Sequence, residues 1–326
     1  MAEMNMAKSI NLALFEAMEK DSRVVVLGQD VGVDEGVFRI TEGLHAKFGD
    51  KRVFDTPLAE SGIVGTSIGM AINGLLPVAE IQFAGFDYYA YQQLESHAAR
   101  FRNRTRGRVT VPMVMRAPSG AGIRALEHHS ESREAIYCHT PGLKVVMPSG
   151  PRNARALLHS AINDPDPVIY YEPKALYRLF KEEVPDEIEM MPIGKAQVVR
   201  PGSDITIISY GATMRPCLEA AETLMEEDGV KAEVIDLLSL MPLDTETFVN
   251  SVAKTGRAVV VHEGPRACGV AAEVVSRINE NVFLYLEAPV IRLTGYDVPV
   301  PYFSKEKFYI PDADKVVAAC RKTLRF

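Results

Sequence analysis

Short apolar, β-branched runs alternate with helical patterns along nearly the whole chain, and this alternation constrains the fold more than any other feature. The predicted strands of the first part are Val24–Gly28, Val78–Ile81, Val111–Arg116, Leu143–Met147 and Val168–Tyr171. The predicted helices between and around them are Ser9–Lys20, Gly62–Asn73, Tyr88–Phe101 and Asn153–Ile162. Continuous apolar strands separated by helices predict a parallel sheet covered on both faces. Ligands of such sheets bind at the carboxyl ends of the strands.

The same alternation resumes after an acidic, proline-containing segment without sustained periodicity. The predicted strands there are Ile205–Tyr210, Val234–Asp236, Ala258–His262 and Val290–Leu293, and the predicted helices are Pro216–Glu227, Thr245–Lys254 and Val270–Asn279. A chain of 326 residues suits two domains at roughly 150 residues each. We therefore predict an α/β protein with two doubly wound domains, at 1–185 and 204–326, joined by a linker at 186–203.

Composition excludes several classes of function. The net charge of −7 and the lack of a basic stripe with interleaved aromatic residues argue against nucleic-acid binding. No apolar run approaches the ~18 residues of a membrane span. The four cysteines form no C-x-x-C pair, which predicts a reducing, cytoplasmic setting without a zinc ribbon or redox dithiol.

The stretch Asp55–Gly74 combines an acid, Glu60, with a nearly uncharged, glycine-punctuated helical pattern. Each glycine costs roughly 1 kcal/mol in a helix interior, so the pattern predicts a close approach by another backbone. A carboxyl at the mouth of such a buried interface suggests a functional site. An ordinary acidic first turn, favoured by the helix dipole, is the alternative interpretation.

A second candidate is the small-residue loop Arg116–His129, which follows a predicted strand and ends in adjacent histidines. A histidine titrates near neutral pH and can move a proton during catalysis. The loop could thus deliver either His128 or His129 to a substrate. A zinc site is disfavoured because adjacent side chains diverge, and an ordinary polar loop is the remaining alternative.

Common nucleotide and hydrolase signatures are absent. The chain contains neither G-x-G-x-x-G nor G-x-x-x-x-G-K-[ST], and no G-x-S-x-G elbow. His262, at the end of a predicted strand, is interpreted as a structural or interface residue.

Longer motifs carry a resemblance to a known family. They are GQDVGVDEGVFRITEGL at 28–44, RVFDTPLAESGIVGTSIGMAINGLLPVAEIQF at 52–83, HTPGLKVVMPSGP at 139–151, DPVIYYEPKALYR at 166–178, PIGKAQVVRPGSDITIISYG at 192–211 and RAVVVHEG at 257–264. The chain resembles, almost end to end, the beta subunits of the thiamine diphosphate-dependent component of 2-oxoacid dehydrogenases. These include pyruvate, branched-chain 2-oxoacid and acetoin dehydrogenases. The resemblance implies a pyrimidine-binding domain followed by a transketolase C-terminal-like domain.

The resemblance also implies the roles of individual residues. Glu60 would contact the aminopyrimidine ring of the cofactor, with Phe86 against the ring face and Leu58 and Gln82 nearby. His129 would assist reductive acylation of the lipoyl group. A potassium site, built largely from backbone oxygens, maps onto Met113, Ala161, Ile162, Asp164 and Asp166. Oxygen ligands and a negative site suit such a hard cation.

The family's cofactor also needs a diphosphate anchor, which this chain lacks. No GDG motif with downstream asparagines is present. The resemblance therefore implies that an alpha subunit supplies the diphosphate and magnesium half of the site, in a heterotetramer of two alpha and two beta chains. It further implies a dihydrolipoyl acyltransferase core as partner. We expect a branched-chain 2-oxoacid as substrate, with pyruvate or acetoin as alternatives and a non-catalytic scaffold as a distant one.

Overall fold

The computed structural model describes residues 2–326, which form two α/β units. The helices are α1 Met6–Lys20, α2 Leu44–Phe48, α3 Glu60–Ile72, α4 Tyr88–Ser96, α5 Phe101–Arg104, α6 Glu134–Cys138, α7 Pro151–Ile162, α8 Met214–Asp228, α9 Thr245–Thr255, α10 Val270–Val282, α11 Glu306–Tyr309 and α12 Ala313–Leu324. The strands are β1 Ala2–Met4, β2 Val24–Gly28, β3 Val53–Asp55, β4 Leu76–Glu80, β5 Val114–Ser119, β6 Lys144–Val146, β7 Val168–Pro173, β8 Glu182–Val184, β9 Gln197–Arg200, β10 Ile205–Ser209, β11 Ala232–Asp236, β12 Ser239–Met241, β13 Ala258–Val261 and β14 Ile291–Leu293.

The first unit is built on a seven-stranded sheet in the order β12-β6-β7-β5-β4-β2-β3. All pairs are parallel except β12 with β6. Successive side chains of β7 enter different cores, since Val168 and Tyr170 pack with α1 and α7 while Ile169 and Tyr171 face α3 and α4. Burial on both faces explains why these strands read as continuous apolar runs rather than as alternating ones. The predicted doubly wound architecture is confirmed.

The second unit has a five-stranded sheet in the order β14-β13-β10-β11-β9. Helices α8 and α12 cover one face, and α9 and α10 cover the other. Strand β9 lies within the predicted linker 186–203 and pairs antiparallel with β11. The domain boundaries given above stay a prediction.

The two units share one core. Strand β12, which follows β11 in the chain, leaves the second sheet and pairs with β6 at the edge of the first. A single cluster of buried apolar side chains runs from Ile63 and Leu94 of the first unit to Phe248 and Val274 of the second. Because protein interiors are closely packed, this shared cluster holds the second unit firmly against the first.

No helix within residues 2–326 combines the length and the apolar character that a membrane crossing requires.

A buried ionic triad ties three neighbouring strands together below their carboxyl ends. The Arg116 guanidinium on β5 donates to both carboxylate oxygens of Glu172 on β7, at 2.6 and 2.8 Å, and also to Glu80 on β4. Tyr177 donates its hydroxyl to Glu172 as well. All three charged side chains are almost fully buried. Burial raises the pKa of Glu80, although the charge of Arg116 opposes that rise.

Removal of this guanidinium is expected to destabilise the fold severely. Arg116→Met leaves two buried carboxylates without a cation, which costs on the order of 3–5 kcal/mol in the free energy of unfolding. The loss should shrink as pH falls from 8 to 5, because the unpaired carboxyls then bind protons in the folded state. Urea denaturation at both pH values measures this.

The matched control is Arg23→Met, which removes a largely exposed partner of Asp21. It should leave the urea midpoint unchanged. Equal effects of the two substitutions would contradict a special role for the triad.

Candidate active site

The predicted site residues come from loops at the carboxyl edge of the first sheet. Glu60 follows β3, Gln82 and Phe86 follow β4, and His129 ends the loop that follows β5. Because β5, β4, β2 and β3 are parallel neighbours, their following loops meet at one edge. This is the edge at which doubly wound sheets bind ligands.

Glu60 is the first residue of α3 and is only 8% exposed. Within residues 2–326 no hydrogen bond reaches its carboxylate. The α3 dipole favours a negative charge there, and neither carboxylate oxygen is fully buried, so both stay accessible from outside the described chain. The carboxylate is therefore available to accept a hydrogen bond from a group outside the described chain. Leu58, two residues earlier, is 70% exposed.

Tyr88 connects Glu60 to the histidines. The pKa of Tyr88 is raised, chiefly by a hydrogen bond with Tyr89 and to a smaller extent by the charge of Glu60. The Tyr88 ring also lies 6.2 Å from the His128 ring, measured between centroids. The structure thus brings the acid and the histidine pair to the same side of the sheet edge.

The His129 ring packs between two phenylalanines. Its centroid lies 4.3 Å from that of Phe83 and 5.2 Å from that of Phe86, the latter in an edge-on arrangement. Its Nδ1 lies 2.9 Å from the Glu127 carbonyl oxygen. A carbonyl can only accept, so Nδ1 carries the hydrogen and the Nε2 lone pair is left for another proton. This tautomer suits a group that moves a proton at Nε2.

Close backbone contact seats the histidine loop. A Cβ added to Gly85 would lie 2.0 Å from the His128 carbonyl oxygen, so only glycine fits beneath this loop. His128 itself has a φ of 65°, in the left-handed region. The segment that carries Phe86 and the loop that carries His129 therefore pack directly against each other.

Buried Asp87 anchors the Phe86 segment from below. Its carboxylate accepts from Arg133 Nε at 3.0 Å and from the Tyr171 hydroxyl, and its carbonyl accepts from Tyr137 at 3.2 Å. Burial raises the pKa of Asp87 to about 6, against the opposing charge of Arg133. Gln82 is held separately, because its side-chain amide donates to Asp30 at 2.7 Å.

The predicted potassium ligands form a different cluster. Met113, Ala161 and Ile162 are buried. The Asp164 carboxylate accepts from Lys144 at 2.7 Å, and Asp166 pairs with Arg102, also at 2.7 Å. Both carboxylates therefore already meet cationic side chains, and no group of three or more His, Cys, Asp or Glu side chains with metal-binding geometry occurs within residues 2–326. The potassium ligands stay a prediction.

The comparisons with known proteins bear on both units. Residues 2–179 match the family described as "Transketolase, pyrimidine binding domain", and residues 194–316 match "Transketolase, C-terminal domain". The pyruvate dehydrogenase E1 component subunit beta of Acholeplasma laidlawii is 52% identical over 99% of this chain and 98% of its own length. The chain belongs to the beta subunits of thiamine diphosphate-dependent 2-oxoacid dehydrogenases.

Other relatives of this beta-subunit family have different named substrates. The 3-methyl-2-oxobutanoate dehydrogenase subunit beta of Mycobacterium tuberculosis is 48% identical over 99% of this chain and 92% of its own length. A solved structure named "Split gene transketolase, inactive beta4 tetramer" superposes with a TM-score of 0.79 at 25% identity, covering 99% of each chain. The predicted family and fold are confirmed, and the comparisons match both pyruvate and branched-chain beta subunits.

Several residues that shape the site are not predicted from the sequence. Phe83, Gly85 and Asp87 flank the predicted Phe86, and only the folded loops show what they contact. Lys174 and Glu263 lie within two of the family-like motifs, but their contact with the histidine loop depends on tertiary structure.

His262 lies in the interface between the two units rather than at the sheet edge. Its ring is fully buried, stacks on Tyr210 at 6.0 Å between centroids, and has no hydrogen-bond partner within residues 2–326 for either nitrogen. Burial lowers the pKa of His262 to about 4, and the charge of Arg292 adds to that effect. These contacts suit a neutral packing residue.

The neutral state of His262 predicts a pH-dependent stability. Because its folded-state pKa lies below the ordinary 6.5, the unfolded chain binds an extra proton between pH 6.5 and 4. Stability is therefore lost as pH falls through this window. Between pH 7.5 and 5, the free energy of unfolding should fall by about 2 kcal/mol more in wild type than in His262→Leu.

Urea denaturation of wild type and His262→Leu at both pH values checks this. The difference between the two proteins separates His262 from other buried acids, such as Asp87 and Asp236. Parallel pH slopes would show that His262 does not titrate in this way.

Proposed function

We propose that this beta subunit supplies the aminopyrimidine half of a shared thiamine diphosphate site. The observation that carries the proposal is the accessible carboxylate of the otherwise buried Glu60, which has no hydrogen-bond donor within residues 2–326 and lies on the same sheet edge as His129. A ring nitrogen of the aminopyrimidine, in its protonated form, would donate a hydrogen bond to this carboxylate. Glu60 would hold a proton at that nitrogen, Phe86 would pack on the ring face, and Leu58 and Gln82 would line its surroundings.

The reaction that we propose is decarboxylation of a 2-oxoacid with transfer of the acyl group to lipoyl-lysine. When bound, thiamine diphosphate supplies the nucleophilic carbon and the electron sink for the decarboxylation. His129 would act in the transfer, delivering a proton through Nε2 to the sulfur that leaves when the lipoyl disulfide opens. The Nδ1 bond to the Glu127 carbonyl supports this role, because it fixes the tautomer and the ring orientation.

An alpha subunit would complete the site. The chain lacks a diphosphate motif, so magnesium and the diphosphate would be held mainly by that partner. The outer face of α3 supports such a contact: apart from the adjoining residues and the helix's own backbone, no atom lies within 4 Å of a Cβ placed on Gly69, and Gly62 meets only the Ala59 Cβ at 3.6 Å. These glycines therefore leave room for the close backbone approach of another chain.

We extend the proposal to a heterotetramer of two alpha and two beta chains that docks on a dihydrolipoyl acyltransferase core. The exposed apolar turn Phe283–Tyr285, whose Leu284 is 92% exposed, supports a further protein contact. The cytoplasmic location and the potassium site are retained as predictions. The cysteines, which are all free thiols, are compatible with a reducing compartment.

The proposed substrate is a branched-chain 2-oxoacid, as predicted from the sequence. Pyruvate is the second candidate, and the 52% identity to a pyruvate dehydrogenase subunit favours it. Turnover of pyruvate and 3-methyl-2-oxobutanoate by the assembled enzyme decides between them.

Calorimetric titration of thiamine diphosphate with magnesium tests the shared site. Binding is expected only when the alpha subunit is present, and tight binding to this chain alone would contradict the proposal. Glu60→Gln should retain cofactor binding within about tenfold but lose on the order of 10²–10⁴-fold in turnover. The matched control Glu42→Gln alters an exposed acid of the same unit and should leave both quantities unchanged. An absence of binding in every mixture would favour the scaffold alternative.

A second experiment assigns the histidine. His129→Ala should lower acylation of a lipoyl domain by on the order of 10²–10⁴-fold. Decarboxylation measured with an artificial dye as electron acceptor should fall much less, because the dye bypasses the disulfide. The comparison variant is His128→Asn, since asparagine tolerates the left-handed backbone at that position. A larger loss of lipoyl acylation for His128→Asn than for His129→Ala would contradict the assignment and give the role to His128.

A further inference from the structure

The loop 120–131, which contains both histidines near its end, is irregular and has few internal backbone hydrogen bonds. Its backbone takes positive φ values at Gly120, Gly122, Arg124 and His128. Few of its backbone hydrogen bonds are internal: Gly120 N donates to Glu131 O at 2.9 Å, and His129 N donates to Leu126 O at 3.1 Å. A long irregular loop with so few internal bonds opens readily unless other elements hold it.

Two carboxylates of the second unit bind the backbone of this loop. Glu263, just after β13, accepts from the Ala121 backbone N–H. Glu306, the first residue of α11, accepts from the Arg124 backbone N–H with both oxygens, at 3.2 and 3.1 Å. Hydrogen bonds to an ionised acceptor are about twice as strong as neutral ones, although burial raises the pKa of Glu263 and so opposes its ionisation. The two contacts lie at the start and in the middle of the loop.

The buried ammonium of Lys174 lies near these carboxylates and contacts the same loop. It donates to the Gly120 carbonyl oxygen. Burial lowers the pKa of Lys174 to about 8, while the charges of Glu263, Glu306 and Glu131 oppose that shift. The ammonium thus offsets part of the negative charge of these acids, and it holds the loop at the residue before Ala121.

Side chains extend the contact toward the histidines. The Tyr302 hydroxyl donates to the Glu127 carboxylate at 3.1 Å. The Arg124 guanidinium lies 5.4 Å from the centroid of the Phe303 ring. Glu127 is also the residue whose carbonyl orients His129. A single residue, Glu127, therefore links the second unit to the His129 ring.

We propose that Glu263 and Glu306 are positioning residues for His129, which they serve by clamping the loop 120–131 against Gly85 on its opposite side. The assignment of His129 as the affected group rests on the proposed function, whereas the clamp itself does not. The second unit then has a direct part in the active site, in addition to any part in assembly.

Hydrogen exchange of the unmodified full-length chain tests the clamp first. The amides of Ala121 and Arg124 should exchange at least about tenfold more slowly than those of Gly122 and Ile123, which donate to no carboxylate. Equal exchange rates across these four residues would overturn the clamp.

Limited trypsin digestion then tests Glu306 through the exposed Arg124. Glu306→Ala should accelerate cleavage after Arg124 by about tenfold or more, because cleavage follows local opening of the loop. Glu306→Gln keeps an amide oxygen as acceptor and should remain much closer to wild type. The control Glu222→Ala removes an exposed acid of α8 and should not change the rate. Cleavage at the wild-type rate in folded Glu306→Ala would overturn the proposal.

A double-mutant cycle in the assembled enzyme tests the positioning role. Glu306→Ala should lower lipoyl acylation by about tenfold or more while the KM for the 2-oxoacid stays constant. In a His129→Ala background the same substitution should have little further effect, because both act through one group. Additive losses would overturn the role toward His129. If the wild-type enzyme shows no lipoyl acylation at all, the proposed function fails. The hydrogen-exchange and trypsin experiments still test the clamp in that case.

Discussion

The Arg116 triad is the interaction on which the active edge of the first sheet depends. Glu80 ends β4, Arg116 lies in β5, and Glu172 lies near the end of β7. The loops that follow these strands carry Phe86, His129 and Lys174, respectively. A bidentate guanidinium bond leaves little freedom in strand spacing, since its two N–H···O contacts must both be satisfied. Buried ion pairs contribute little net stability, so we attribute the value of this one to the geometry that it fixes.

The second unit also holds the active edge of the first sheet in place. Strand β12 extends the first sheet, and the buried apolar cluster is continuous across both units. Glu263 and Glu306 reach from the second unit into the loop after β5. The loop has its histidine end packed on Gly85 of the first unit. The site is thus assembled from both halves of the chain, although its proposed chemical groups all belong to the first half.

Much of this arrangement could be predicted from local patterns. The apolar strands and the amphipathic helices follow from side-chain periodicity, which is why Val24–Gly28 was predicted with its actual bounds. The charge-poor run after Asp-Thr-Pro predicts a helix over Gly62–Asn73, and the structure has it over Glu60–Ile72. Family-like motifs then identified Glu60 and His129 as candidates. Short strands such as β12 and β9 were missed or left within a linker, because their pairing partners are distant in sequence.

The sequence by itself determined the alternating architecture, the family and the identity of the candidate chemical groups, since these depend on residue type and local spacing. Only the tertiary structure decided which groups meet. The pairing of Arg116 with Glu80 and Glu172 spans three strands, and the contact of Glu306 with Arg124 spans 182 residues. Such contacts depend on strand order and on how one unit packs against the other. Whether a carboxylate has a hydrogen-bond or ion-pair partner is known only when that packing is known.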